Sequence, residues 1–246
     1  MMFPTWEAGF EAARRVVQAK LWPANCRLLD PGEAGAAAGA EGSHALLIIA
    51  FESAEVPQDA FIREAVKIAR ESGGEIDPGG IKVSDGSDED VGRQGAVGAW
   101  RNSFIRAPYQ RNLTAGMGVV GDTFETAITW DRWPEFDRTV RAAVTAALQR
   151  VCGGGTLTCR FTHVYPDGPA PYYSFQGMGR PGAELEMWAE LKQAAGDAVI
   201  AGGGTITHHH AVGRDHMPWY RQQQPPLFGA ALRAAKAAVD PNGVLN

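Results

Sequence analysis

The residues best suited to chemistry are crowded into one short segment, Gly202-Gly203-Gly204-Thr205-Ile206-Thr207-His208-His209-His210-Ala211-Val212-Gly213-Arg214-Asp215-His216. Four of the six histidines of the chain stand there, three of them in a row. If this stretch is extended, His208 and His210 point to one face and His209 to the other. Adjacent imidazoles repel one another when all are protonated, so a site that uses them supplies an anion or a metal. A zinc reading takes His208 and His210 as ligands, with Asp215 or His216 as a third. No His-Glu pair at helical spacing supports it, and no metal is assigned.

A second constellation flanks the turn Pro166-Asp167-Gly168-Pro169-Ala170-Pro171. Arg160, His163 and Tyr165 precede it, and Tyr172, Tyr173 and Ser174 follow. On a strand, Tyr172 and Ser174 share one face while Tyr173 and Phe175 take the other. A tyrosine beside imidazoles and cations can serve as a general acid or base. Arg27 and Arg106 interrupt apolar stretches, Cys26-Arg27-Leu28-Leu29-Asp30 and Phe104-Ile105-Arg106. Each needs an anion there, either a carboxylate such as Asp30 or Glu125 or a carboxylate or phosphate of a substrate held bidentately.

The elements that must position these groups can be read from periodicity and breakers. Apolar residues at helical spacing predict helices from Thr5 to Leu21, from Asp59 to the Gly73-Gly74 pair, and from Pro134 to Val151. Two more are predicted through Leu185–Ala195 and from Pro226 to Val239. Strands are expected at Cys26–Asp30, Ala45–Glu52, Thr123–Thr129, Leu157–Tyr165, Tyr172–Gln176 and Thr205–His210. Hairpin-linked strands mixed with helices predict an α+β fold, an antiparallel sheet of ferredoxin-like halves with helices packed on one face. The strand–strand–helix order leaves room for an internal duplication.

Composition narrows the function. The 246 residues are 45% hydrophobic and 21% charged, with 23 Lys+Arg against 28 Asp+Glu and a net charge of −5. A nucleic-acid binder usually carries a basic stripe, and none is visible. Three scattered cysteines, Cys26, Cys152 and Cys159, give neither a disulfide framework nor a zinc ribbon. The longest apolar run, Ala45 to Phe51, is strand-sized. The acidic stretch Ser84–Asp90 lacks calcium-loop ligand spacing and is expected to be a solvated loop. A cytoplasmic location is expected, with membrane association as an open alternative.

Several motifs together resemble a known family. Thr162-His163-Val164-Tyr165-Pro166-Asp167-Gly168, Tyr172-Tyr173, the Gly203–His210 segment and Val239-Asp240-Pro241-Asn242-Gly243-Val244-Leu245-Asn246 follow the order found in FAD-linked oxidase carboxy-terminal (cap) domains of the vanillyl-alcohol-oxidase superfamily. Arg27-Leu28-Leu29-Asp30, Phe104-Ile105-Arg106, Phe124-Glu125-Thr126 and Trp130-Asp131-Arg132 extend the likeness over nearly the whole chain. The triple histidine is similar to the alkyl-dihydroxyacetone-phosphate synthase branch, whereas the lactate and glycolate dehydrogenases carry a Glu-His-Gly version.

The resemblance implies that residues 1–246 form a substrate-binding cap domain, with 202–246 as the histidine loop and carboxy-terminal helix. FAD is then held mainly by an amino-terminal domain outside this chain, and the isolated chain is expected to be inactive. The implied reaction exchanges the acyl group of a phosphorylated, lipid-like substrate for an alkyl group, with the flavin as a covalent holder. By resemblance, Tyr172 is the acid/base, and His208, His209 and His210 surround substrate and flavin. Arg106 holds the departing carboxylate, and Arg27 supports the histidine loop. His209, His210 and Asn246 lie against the cofactor. Ala211 stands where the family commonly has Gly, and Ser174 where an aromatic is usual. The alternatives are an FAD-dependent 2-hydroxyacid dehydrogenase or oxidase and a non-catalytic cap-fold binding module. The implied partners are the FAD domain and the substrate, and a homodimer is the alternative to a monomer.

Overall fold

The computed structural model describes residues 1–38, 43–76, 78–83 and 95–245. Six strands, β1 (Met2–Phe3), β2 (Asn25–Leu29), β3 (Ala45–Ala50), β4 (Val119–Glu125), β5 (Thr156–Val164) and β6 (Pro169–Met178), form one sheet in the order β1-β3-β2-β5-β6-β4. Every pairing is antiparallel. The α+β class is as the sequence predicts.

The helices are α1 (Trp6–Gln18), α2 (Pro31–Ala38), α3 (Asp59–Glu71), α4 (Gly95–Gly116), α5 (Trp133–Cys152), α6 (Glu184–Ala201), α7 (Met217–Gln223) and α8 (Pro226–Val239). The chain runs β1-α1-β2-β3-α3 and then β4-α5-β5-β6-α6, so the same strand–helix–strand–strand–helix unit occurs twice. Each unit orders its strands first-third-second, and the two second strands, β2 and β5, meet at the centre. These are the ferredoxin-like halves, with α2 inserted in the first and α4 between them.

The main core lies on one face. Thr5 caps α1 by accepting from Ala8 N. Ala12, Ala13 and Val17 of α1 then pack with Trp133, Phe136, Val140, Val144 and Leu148 of α5 and with Met187, Leu191 and Ala195 of α6. Strand alternation delivers Phe124, Cys159, Phe161, Tyr173 and Phe175 to this same core. Asp137 on α5 fixes the register: it accepts from Tyr173 Oη at 2.7 Å, Trp6 Nε1 at 3.0 Å and Arg141 Nε at 2.9 Å. A small second core on the opposite face joins Leu29, Leu46 and Ile48 to Ala34 and Ala38 of α2, with Trp100 of α4 against it.

Three expectations need correction. Thr205–His210 is irregular and not a strand, because its Thr, Ile and His residues are held by side chains from other elements. β4 runs from Val119 to Glu125, starting and ending earlier than expected, although Thr126 N and Ile128 N still donate to Pro171 O and Pro169 O of β6. α8 forms as predicted, but Leu227, Phe228, Leu232 and Val239 are exposed and only Gly229 is buried. Its apolar stripe is amphipathic by spacing, yet no described residue covers it. The stretch Ser84–Asp90 and Asn246 lie outside the described residues.

Candidate active site

The face of the second half turned away from the main core carries the chemistry. Register sets Glu125 of β4, Tyr172 of β6 and Arg160 of β5 side by side across adjacent strands. Arg160 places its guanidinium carbon 4.2 Å from the Tyr172 ring centre and ion-pairs with Glu33 of α2. A bulge between Phe161 and His163 then breaks the alternation of β5. It lets two successive residues reach the same carboxylate. Thr162 Oγ1 donates to Glu125 Oε1, and His163 Nδ1 lies 3.6 Å from the same oxygen.

The histidine loop folds over this face from the end of α6. Gly203 takes φ +76°, a left-handed turn that glycine tolerates, and a Cβ there would collide with the Arg132 guanidinium. Arg132 Nη2 meanwhile donates to Gly202 O at 2.9 Å. On one side the loop is tied to the end of β4: Thr126 Oγ1 donates to Thr205 O, Thr205 N to Ala127 O and Ala127 N to Thr205 Oγ1. On the other side Gln223 of α7 accepts from Ile206 N and donates to Gly204 O, both at 2.7 Å. Trp219 locks α7 onto α6 by donating to Asp197, its ring lying where a side chain at Gly196 would be. Thr207 Oγ1 donates to His210 O, and His209 adopts φ +59°.

Thus His208 and His210 share one direction, as expected, although the backbone is not extended. His208 Nδ1 is 3.4 Å from Glu125 Oε1, and His210 Nε2 is 3.8 Å from Glu125 Oε2. His209 does not take the opposite face: exposed, it stacks on His163 with centroids 4.3 Å apart and lies 4.4 Å from the His208 ring. Tyr165 Oη lies 3.2 Å from His208 Nε2, and the Tyr172 ring meets His210 edge-on at 5.3 Å. Burial pushes the His163 imidazole pKa below its ordinary value. The charge of His209 adds to this, and Glu125 opposes it. Burial does the same to His210, again against Glu125.

The structure gathers some predicted site residues and leaves others apart. Tyr172, His208, His209 and His210 come together. Arg27 lies on β2 with its guanidinium 4.9 Å from the Trp100 ring centre. Burial lowers its pKa, the like charge of Arg160 lowers it further, and Glu125 raises it. Arg106 is exposed on α4, and among the described residues nothing joins it to the cluster. The zinc set His208, His210, Asp215 and His216 does not converge. Asp215 is exposed, and His216 Nδ1 is bound to Ala211 O. The imidazoles that do converge are His163, His208 and His209, whose ring nitrogens lie within 4.8 Å of one another, close enough to share a metal. Ser174 shares the Tyr172 face, between Thr123 and Thr158, and Ala211 is exposed.

Sequence reasoning missed the centre of this arrangement. Glu125 was legible only as a carboxylate near an arginine, yet it is 3% exposed and three imidazoles surround it. A glutamate closing an apolar strand, Val119-Val120-Gly121-Asp122-Thr123-Phe124-Glu125, was the available signal.

A pair of ferredoxin-like units with a tyrosine–histidine–carboxylate cluster on one sheet face defines the class, an α+β domain with a candidate site on that face. The family model described as FAD linked oxidases, C-terminal domain, matches residues 1–246, and the chain belongs to that family. Alkyldihydroxyacetonephosphate synthase of Caenorhabditis elegans is 34% identical over 149 residues, covering 59% of this chain and 25% of the relative. The synthase of Trypanosoma brucei brucei is 24% identical over 147 residues, covering 60% of this chain and 24% of that protein. A solved alkyldihydroxyacetonephosphate synthase structure superposes with a TM-score of 0.72 at 15% identity, covering 98% of this chain and 42% of the other, which shows a shared fold. The chain therefore spans about a quarter of the length of these curated relatives.

The residues present fit a flavin. His209 and Tyr165 are exposed on the open face, and Tyr172 and His210 are half-buried there. A planar ring with hydrogen-bonding edges suits such a surface. Among the described residues no helix is long and apolar enough to cross a membrane.

Proposed function

We propose that this chain is the substrate-binding cap domain of an FAD-dependent, alkyl-dihydroxyacetone-phosphate synthase-like enzyme. Such an enzyme exchanges the acyl group of an acyl-dihydroxyacetone phosphate for the alkyl group of a fatty alcohol. The observation that carries the reading is Tyr172, held between the Arg160 guanidinium and the His210 ring on the open face. A phenol between a cation and an imidazole is suited to lose and regain a proton at its hydroxyl oxygen. When bound, FAD supplies the electrophilic ring system for the exchange, and His209 and His210 are the residues of this chain that would lie against it.

In this reading Tyr172 Oη removes the proton that must leave the substrate carbon and later returns one. His208 and His210, on the buried side of the loop, set the charge behind it. Arg27 supplies positive charge beside the loop, and Arg106, exposed on α4, meets the departing carboxylate. Cations held where negative charge develops do most when water is excluded, and the FAD domain provides that cover in the assembled enzyme. The FAD domain in the same full-length chain and a phosphorylated, lipid-like substrate are the proposed partners.

The test uses the full-length, FAD-loaded protein, offered acyl-dihydroxyacetone phosphate with a fatty alcohol and, separately, 2-hydroxy acids. Ether product, lost in Tyr172→Phe with FAD still bound, is expected. Flavin bleaching by a hydroxy acid without ether product would replace the reading with a dehydrogenase. A fatty alcohol that is never incorporated, with no hydroxy acid oxidised, would leave a binding module.

A further inference from the structure

Glu125 lies between two tyrosines. From its Oε2 the contacts run to His210 Nε2 at 3.8 Å and on to the Tyr172 ring. From its Oε1 they run to His208 Nδ1 at 3.4 Å, and from His208 Nε2 to Tyr165 Oη at 3.2 Å. Tyr165 is 38% exposed, whereas Glu125 is 3% exposed. Among the described residues no lysine or arginine ion-pairs with Glu125; its ion-pair neighbours are imidazoles, and Thr162 Oγ1 donates to it. A buried carboxylate without a paired lysine or arginine is costly unless a proton is shared with its neighbours.

We infer that Glu125, His208 and Tyr165 form a proton inlet behind the reacting face, with Glu125 and Tyr165 as positioning residues that hold one proton on His208 Nδ1 and replace it from water through the Tyr165 hydroxyl. The inference rests on the reading of Tyr172 as the acid/base. Each transfer breaks one N–H or O–H bond and forms another, with no change in oxidation state. His208 Nδ1 gives its proton to Glu125 Oε1 while His208 Nε2 takes one from the Tyr165 hydroxyl, which takes one from water in turn. Glu125 then gives a proton to His210 Nε2, and His208 returns to its starting tautomer by exchange with water. The separations are longer than finished hydrogen bonds, the usual state of such contacts before substrate closes the site.

Other groups bear on the charge of the relay. His163 and Thr162 of β5, Arg27 of β2, Arg160 of β5 and Tyr172 of β6 stand around Glu125, and His209 stacks between His163 and His208. His210 also senses His216, Lys192 and Asp122. Arg160 is already engaged by Glu33, so the groups that face Glu125 most closely are the imidazoles and Thr162.

The experiment is side-chain nitrogen NMR of the histidines in this 246-residue chain across pH, with no FAD present. In the native sequence the proton is expected on His208 Nδ1; a proton found only on Nε2 at neutral pH overturns the inference without any variant. Glu125→Gln should move the proton from His208 Nδ1 toward Nε2, with Glu125→Asp keeping more of it on Nδ1. A folded Gln variant with the proton still wholly on Nδ1 overturns it. Tyr165→Phe should slow exchange of the His208 proton with water at least tenfold while leaving the melting temperature in place, and an unchanged exchange rate removes the inlet. These readouts need no turnover, so their failure leaves the synthase reading standing, and failure of that reading in the ether assay leaves them intact.

Discussion

Gln223→Ala should loosen the histidine loop and almost nothing else. The Gln223 side chain makes two hydrogen bonds of 2.7 Å, accepting from Ile206 N and donating to Gly204 O, on either side of Thr205. Gln223 is itself exposed, so shortening it opens no cavity in the core. A hydrogen bond of this kind contributes about 1 kcal/mol net, so losing both should cost about 2 kcal/mol. If that cost falls on a local opening of residues 204–211, the opening equilibrium rises about 30-fold, since about 1.4 kcal/mol is tenfold. Native-state amide hydrogen exchange is the assay. Protection at Ile206 and its neighbours should fall by that factor, while amides of β5, β6 and α5 keep theirs. Gln223→Glu is the internal control: a carboxylate can still accept from Ile206 N but cannot donate to Gly204 O, so about half of the free-energy effect should remain. Unchanged exchange in the loop would refute the clamp. An equal loss of protection across the sheet would show that the loop does not open as a separate unit.

Asp137→Ala leaves the Trp6 indole N–H, the buried Tyr173 phenol and the Arg141 Nε–H without their acceptor, with Asp30 still holding Arg141 Nη2. The loss should be about 3–5 kcal/mol, read by calorimetry as a drop of roughly 10 °C in Tm. Gly203→Ala should cost about 1–2 kcal/mol from the left-handed backbone alone, and the displaced Arg132 should expose Gly202 O, seen as faster exchange at the loop's root. Burial holds the folded His163 and His210 below the ordinary imidazole value of 6.5. The unfolded chain therefore takes up protons that the folded one refuses, so stability is complete above about pH 6.5 and falls as pH drops below it. A paired His163→Gln, His210→Gln variant should flatten that acid-side slope in Tm; an unaltered slope would mean that these rings are not the protons lost.

How much was legible follows from where local sequence decides structure. α1, α3, α5 and α6 have apolar residues at helical spacing, and all appear near their predicted limits. The β5–β6 hairpin was readable because Pro166–Pro171 punctuates two alternating runs. α4 was not: its apolar residues are spread around the whole helix, many are exposed, and Pro108 lies inside it. α2, Pro-Gly-Glu-Ala-Gly-Ala-Ala-Ala, has no side chain larger than its glutamate. It is helical because Ala34 and Ala38 fill the shallow face over Leu29, Leu46 and Ile48, a tertiary reason invisible to a local window.

The histidine loop failed as a strand for a reason that also explains the site. In the second unit β4 is the first strand, and a fourth strand of a ferredoxin-like unit would pair along its free edge after α6. Thr205 arrives there and makes the first contacts, with Ala127 just beyond β4. The pairing stops after that residue, because Ile206 turns inward and its N–H is taken by Gln223. A completed strand would alternate His208, His209 and His210 along the edge, and only every second ring could face β5 and β6. The interrupted strand instead curls over the sheet, and His209 at φ +59° lets His208 and His210 converge on Glu125 while His209 stacks on His163. The β5 bulge acts from the opposite side by bringing both Thr162 and His163 to that carboxylate. The site is therefore assembled from two departures from regular pairing. Period-based reading could find its histidines and tyrosines, but not the glutamate on which they converge.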